Sequence, residues 1–148
     1  MFSPKIILVP TDFSTYADKA LSLAVDIAKQ YSSRIYLLHV IGPLLQCAAD
    51  YCFDPRTMAL VESEAVTSAG KMMQSRLGNV PEAGTVDIVS DIRQGTPYEE
   101  ILKAQQEKKA DLIVMSSHGQ TGILRHLLGS VAEKVMRQAK CPLLLVRE

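Results

Sequence analysis

The sequence predicts an α/β fold, a doubly wound five-stranded parallel sheet with helices on both faces, and three observations carry that expectation. Short apolar runs rich in β-branched residues recur five times along the 148 residues. Segments of helical periodicity separate them, and two of the helix starts carry capping sequences. Continuous apolar runs belong to strands covered on both faces, and their alternation with amphipathic helices implies right-handed crossovers in a parallel sheet.

The elements follow in order. Ile6 to Val9 is the first strand, and Ala17, Leu21, Ala24, Ala28 and Tyr31 then line one face of a helix. Ile35 to Val40 is the second strand. Met58, Val61, Ala65, Met72 and Leu77 define a second core-facing stripe, and Val86 to Val89 is the third strand. The third helix opens with Thr96 as N-cap, Pro97 at the first helical position and Glu99 where a capping box places its reciprocal acceptor. Leu112 to Met115 is the fourth strand. Ser130 and Glu133 repeat the capping device ahead of a helix whose apolar face is Val131, Val135 and Ala139. Pro142 ends that helix, and Leu143 to Val146 is the last strand. A single domain over residues 1–148 is expected, long enough to bury about two-thirds of its unfolded surface.

Composition narrows the function classes. Hydrophobic residues make up 47% and charged residues 22%, and 16 basic side chains balance 16 acidic ones. A nucleic-acid binder clusters a basic excess on one face, and here Lys and Arg are interspersed with acids. The apolar run at Ile6 to Val9 is too short for a signal-peptide core. The longest apolar stretch, residues 35–49, is broken by His39, Gly42, Pro43 and Gln46, so it falls short of the roughly 20 residues of a membrane span. Cys47, Cys52 and Cys141 form no CxxC pair, and their odd number argues against a disulfide framework, so a reducing cytoplasm is expected. Cys47, Cys52 and His39 match no standard zinc spacing.

In a doubly wound sheet, ligands bind beyond the carboxyl ends of the strands, near the point where strand order reverses. The loops there carry Pro10-Thr11-Asp12, the stretch from Val40 into Gly42-Pro43, and the segment from Ser116 to Ser130. The connection from Ile41 to Arg56 is a lid or a surface loop. In the segment after the fourth strand, Gly119 and Gly129 flank nine residues and a helix start follows. Phosphate needs backbone N–H groups clear of side chains, and a helix N-terminus supplies unpaired donors with a favourable dipole. Two readings of Gly129-Ser130 stand side by side: a phosphate cradle, or a loop end and helix cap. A Ser130 hydroxyl that caps its own helix is not available to phosphate, although its N–H is. Asp12 is likewise a turn or cap residue before Phe13-Ser14, or a ligand group at a strand's carboxyl end. His118, Arg125 and His126 lie in the same loop, each a charge stabiliser or a solvated side chain. His39, inside a strand, reads as a satisfied, half-buried histidine.

Motifs of related enzyme chemistry are missing. There is no G-x4-G-K-[ST] loop, no S-G-G-x-D-S loop, no H-x-G-H signature and no G-x-S-x-G elbow. A phospho-acceptor receiver domain would need paired acids after the first strand and a lysine after the last. Only Asp12 stands at the first place, and Lys140 precedes the last strand.

The stretches Asp111-Leu112-Ile113-Val114-Met115, His118-Gly119, Leu128-Gly129-Ser130-Val131-Ala132-Glu133 and Cys141-Pro142-Leu143 resemble the C-terminal signature of universal stress proteins. Ile7-Leu8-Val9-Pro10-Thr11-Asp12-Phe13-Ser14 and Gly95-Thr96-Pro97 are similar too, so the resemblance spans essentially the whole chain. It implies a Rossmann-like sheet of the adenine nucleotide alpha hydrolase-like type, and a site for ATP, or AMP or ADP, with Mg²⁺. The phosphate loop of the family's ATP-binding branch reads G-x2-G-x9-G-S. Gly119, Gly129 and Ser130 match, while Ser116 stands in place of the first glycine, adding a side chain whose hydroxyl is a candidate donor to a phosphate or ribose oxygen.

By the same resemblance Asp12 lies near the ribose or the metal, and Val40 recognises adenine through its backbone. Pro10, Thr11 and Met115 complete the adenosine pocket, and His118 and Val131 belong to the phosphate end. A homodimer along Pro142 to Arg147 is also implied. The function expected is a nucleotide-binding stress-response or signalling module with little turnover, because no positioned general base is evident. The alternatives are a slow Mg²⁺-dependent ATPase or phosphotransfer enzyme using Asp12 or His118 to orient water, and a family member that has lost nucleotide binding, with Ser116 as its mark.

Overall fold

The computed structural model describes residues 1–43, 54–119 and 128–147. Five strands, β1 (Ile6–Pro10), β2 (Arg34–Ile41), β3 (Asp87–Gln94), β4 (Leu112–Ser116) and β5 (Leu143–Val146), alternate with helices α1 (Thr15–Tyr31), α2 (Pro55–Asn79), α3 (Pro97–Lys108) and α4 (Ser130–Gln138), and a short 3-10 turn spans Ala83–Thr85. The strands pair in parallel in the order β3-β2-β1-β4-β5. The order reverses between β1 and β4, which places a crevice at their carboxyl ends.

The pleat sends alternate residues to opposite layers. Ile7, Val9, Ile35, Leu37 and Val114 pack with Leu21, Ala24 and Val25 of α1 and Met73 of α2. Leu8, Leu38, Ile113 and Met115 pack with Ile101 and Ala104 of α3 and Ala132 and Val135 of α4. The α1 stripe forms as its periodicity requires, and Ser14 accepts from the Ala17 amide as its N-cap. Among the described residues no helix is long and apolar enough to cross a membrane.

Four expectations are corrected. Strands buried on both faces hold only at the centre, because β3 and β5 are sheet edges and are half-exposed along their length. The third strand runs to Gln94 rather than Val89, since its ladder with β2 continues through Asp91 and Arg93. The polar side chains there are held by ion pairs: Arg93 meets Asp91 at 3.0 Å, Glu107 at 2.7 Å and Glu100 at 3.7 Å. Burial works against the Arg93 charge, yet the bonds to Asp91 and Glu107 keep its guanidinium above the usual value.

The third correction concerns α2, whose buried stripe is set by Ala69 and Met73. Val61 and Met72 face outward, because the face that the helix turns to the core is the one that carries Ala69 and Met73. Asp54 caps this helix, accepting from the Arg56 and Thr57 amides. The two capping boxes do not form. Thr96 is the N-cap of α3 without a side-chain bond, and the Glu99 carboxylate accepts from the Tyr98 hydroxyl instead. For α4 the N-cap is Gly129, Ser130 is the first helical residue, and Glu133 pairs with Arg137 at 3.0 Å.

Candidate functional site

The carboxyl end of β1 is a tight corner. Thr11 donates its amide to the Leu38 carbonyl, and its hydroxyl oxygen accepts from the Phe13 amide at 3.1 Å. Phe13 takes a left-handed conformation at φ 63°, which non-glycine residues seldom adopt. It is held there by that bond and by stacking on the His39 ring, with centroids 4.1 Å apart. His39 Nδ1 lies 2.8 Å from the Thr11 carbonyl, so His39 is the satisfied, half-buried histidine that the sequence suggests.

Asp12 divides its carboxylate between two tasks. Oδ1 accepts from the Ser14 amide at 3.0 Å, as a turn residue would. Oδ2 lies 2.7 Å from where a methyl group on Gly119 would stand, so the loops after β1 and β4 touch at this carboxylate.

After β4 the chain is fixed on several sides. The Ser117 amide donates to the Val146 carbonyl of β5, and the Ser117 carbonyl accepts from the Gly129 amide at 2.8 Å. A side chain on residue 129 would meet that same carbonyl at 3.1 Å. The Ser116 hydroxyl donates to the His118 carbonyl at 2.8 Å, and the Ser117 hydroxyl lies 2.9 Å from His118 Nδ1. Ser116 thus spends its hydroxyl inside its own loop rather than offering it to a ligand. At α4, the amides of Ser130, Val131 and Ala132 have no carbonyl of their own helix to meet, and among the described residues no side-chain cap bond is made to them. The competition for the Ser130 hydroxyl is resolved, because Ser130 is not the cap.

These corners enclose one cavity of about 280 Å³. Pro10, Thr11, Asp12, Val40, Met115 and Ser116 line it from the β1, β2 and β4 ends, and His118, Gly119, Gly129, Ser130 and Val131 line it from the loop and the start of α4. The structure therefore brings these eleven residues, expected from sequence, into the wall of one cavity. It adds Leu38, His39, Pro97, Ile101, Ser117 and Ala132. Pro97 and Ile101 sit four apart at the start of α3, a helical spacing that follows the Gly95-Thr96 turn and marks them as one face. Arg125, His126, Cys47 and Cys52, and most of the candidate lid, lie outside the described residues.

The cavity wall combines apolar side chains, Leu38, Val40, Ile101 and Met115, with the α4 N-terminus, Gly119 and the Asp12 carboxylate. An aromatic base suits the first and an anion the second. No lysine or arginine is among the described lining residues, so phosphate charge would be met by amides, the helix dipole and any accompanying cation. Among the described residues Asp12 is the single carboxylate in the wall, and no three metal-ligating side chains cluster. That donor set suits Mg²⁺, which takes one or two carboxylates and completes its shell with phosphate oxygens and water.

Comparison with known proteins places this geometry in context. Residues 4–147 match the model of the universal stress protein family. A universal stress protein of Methanocaldococcus jannaschii is 34% identical over 146 residues, covering 97% of this chain and 82% of its own. A second protein of that organism, with a solved structure, superposes with a TM-score of 0.78 at 29% identity, covering 99% of this chain and 98% of that one. A universal stress protein solved in complex with cAMP shares the fold, with a TM-score of 0.70 at 23% identity over 98% of both chains.

Proposed function

The chain belongs to the universal stress protein family, and from that membership we propose that it binds an adenine nucleotide, ATP with Mg²⁺, as a stress-response signalling module with little or no turnover. One observation carries the reading: the uncapped N-terminus of α4, the Asp12–Gly119 contact and the apolar wall of Val40, Ile101 and Met115 all face a single cavity. The adenine ligand of the cAMP-bound relative is in keeping with it.

In this reading Leu38, Val40, Ile101 and Met115 exclude water from the base, and the Val40 backbone recognises its edge. Gly119, Gly129 and the amides of Ser130 and Val131 hold phosphate oxygens. His118 lies at the same end, with its ring orientation fixed by Ser117. Asp12 holds the ribose or the metal. The cation has a physical purpose here: phosphate and the Asp12 carboxylate repel one another in a cavity whose described wall carries no lysine or arginine. A bound Mg²⁺ would neutralise phosphate charge, and little or no turnover is part of the same proposal. A homodimer along β5 belongs to the same reading, since β5 is an open sheet edge and Leu144 on it is exposed. Cys141 is a free thiol, which suits a reducing cytoplasm.

The test is calorimetric titration with ATP and with GTP, each with Mg²⁺, alongside an assay of released phosphate. Saturable, adenine-selective binding with no appreciable turnover supports the module. Steady phosphate release points instead to an ATPase or phosphotransfer enzyme, and no binding at millimolar ATP marks a member that has lost the site.

A further inference from the structure

We propose that Ser116 is a positioning residue which aims the Gly119 amide into the cavity, so that a glycine at 116 weakens nucleotide binding rather than strengthening it. The proposal rests on the adenine-nucleotide reading of the cavity and deepens it.

Ser116 ends β4, in register with Val146 of β5. The next residue is anchored twice through its backbone, by the bond from its amide to the Val146 carbonyl and by the bond to its carbonyl from the Gly129 amide. One peptide further on, neither sheet nor helix holds the chain. The His118 carbonyl is instead bonded by the Ser116 hydroxyl at 2.8 Å. A trans peptide is planar, and its C=O and N–H point in opposite directions. Fixing the His118 carbonyl toward Ser116 therefore fixes the Gly119 N–H on the opposite side. That nitrogen is within 4.0 Å of where a side chain on Gly129 would stand, beside the first residues of α4. The bond also occupies a lone pair that a free carbonyl would present to an anion.

A glycine or alanine at 116 removes the hydroxyl and leaves the peptide between residues 118 and 119 able to rotate. Binding then has to order it. The change leaves the apolar wall untouched, so its effect is confined to ligands that carry phosphate.

The experiment compares wild type, S116G, S116A and S116T for binding of ATP with Mg²⁺ and of adenosine. It also follows the ¹³C shift of the His118 carbonyl in ligand-free protein. Ser116→Gly and Ser116→Ala are expected to raise the ATP Kd about three- to tenfold, the loss of one neutral hydrogen bond. Adenosine affinity should stay level, Ser116→Thr should hold wild-type affinity, and the carbonyl shift should move in the glycine and alanine variants only. ATP binding by S116G as tight as wild type or tighter overturns the proposal while leaving the nucleotide reading intact, as does an equal loss for adenosine. If wild type binds no adenine nucleotide, the function proposed above fails and the positioning role with it. An unmoved His118 carbonyl shift in S116A overturns the proposal whatever binds.

Discussion

Asp12 Oδ2 lies 2.7 Å from the point where the β-carbon of an alanine at position 119 would sit. The distance is well inside van der Waals contact, so a side chain at 119 would force the Asp12 carboxylate or the loop to shift. Gly119→Ala must displace either Asp12 or the loop, and both belong to the proposed site. ATP affinity should fall by about tenfold or more, the equivalent of ~1.4 kcal/mol. Thermal unfolding should change little, because Gly119 lies outside the packed core. Calorimetry and a melting curve on the same sample check both halves.

Asp12→Asn keeps the oxygen that accepts from the Ser14 amide and removes the charge. If Asp12 meets the metal, Mg²⁺ should strengthen ATP binding in wild type and should lose most of that effect in the variant. Titrations with Mg²⁺ and with EDTA give the two ratios directly. Equal ratios in both proteins would assign Asp12 to the turn alone.

Ile113 is fully buried at the centre of the sheet, against α3 and α4. Ile113→Ala should cost about 2–5 kcal/mol by lost burial and the cavity left behind. Its effect on ATP affinity, measured well below the lowered melting temperature, should be small. Urea denaturation measures the first quantity and calorimetry the second.

Burial pushes the Cys141 thiol above its ordinary pKa, and the nearby Asp111 charge adds to the shift. The thiolate is the reactive form, so alkylation at Cys141 should be slow at neutral pH and should accelerate only as the pH rises past the ordinary thiol value. The sign for stability follows. A folded state that holds its proton more tightly than the unfolded chain is favoured below the unfolded pKa, and loses that advantage as pH rises through the folded one. Iodoacetamide labelling with peptide mapping at pH 7 and above 9 reads the rate at this residue.

The central strands were legible because burial on both faces leaves only one composition: Ile6 to Val9 and Leu112 to Met115 admit no polar residue. The edge strand β3 was not, since Asp87, Ser90, Asp91 and Arg93 sit within its ladder, half-exposed at the sheet edge, and the charged ones are held by ion pairs to Arg34, to one another and to Glu107. The α2 face misled in the same way. Val61 and Met72 look like core residues, yet the helix buries Ala69 and Met73. Capping sequences at Thr96 and Ser130 marked the helix starts to within a residue while the side-chain bonds went elsewhere, Glu99 to Tyr98 and Glu133 to Arg137.

For the site, topology did most of the work. Pro10 to Asp12, Val40 and Ser116 to Gly119 stand at or near the carboxyl ends of β1, β2 and β4, where alternation predicts a ligand site and the family resemblance assigns the residues. Ile101 and Ala132 carry no sequence signal that sets them apart from core residues, because they reach the cavity from helix faces packed in the core. The commitment of the Ser116 hydroxyl to the His118 carbonyl depends on the loop's own turn, and no spacing in the sequence carries it.

The most direct test is a titration of ¹⁵N-labelled protein with ATP and Mg²⁺, followed amide by amide. Saturable shifts at Thr11, Val40, Gly119, Ser130 and Val131, with Leu60, Val66 and Val89 on the remote faces unmoved, are the predicted result. Shifts concentrated on those remote faces, or none that saturate, would contradict adenine-nucleotide binding in the cavity between β1 and β4.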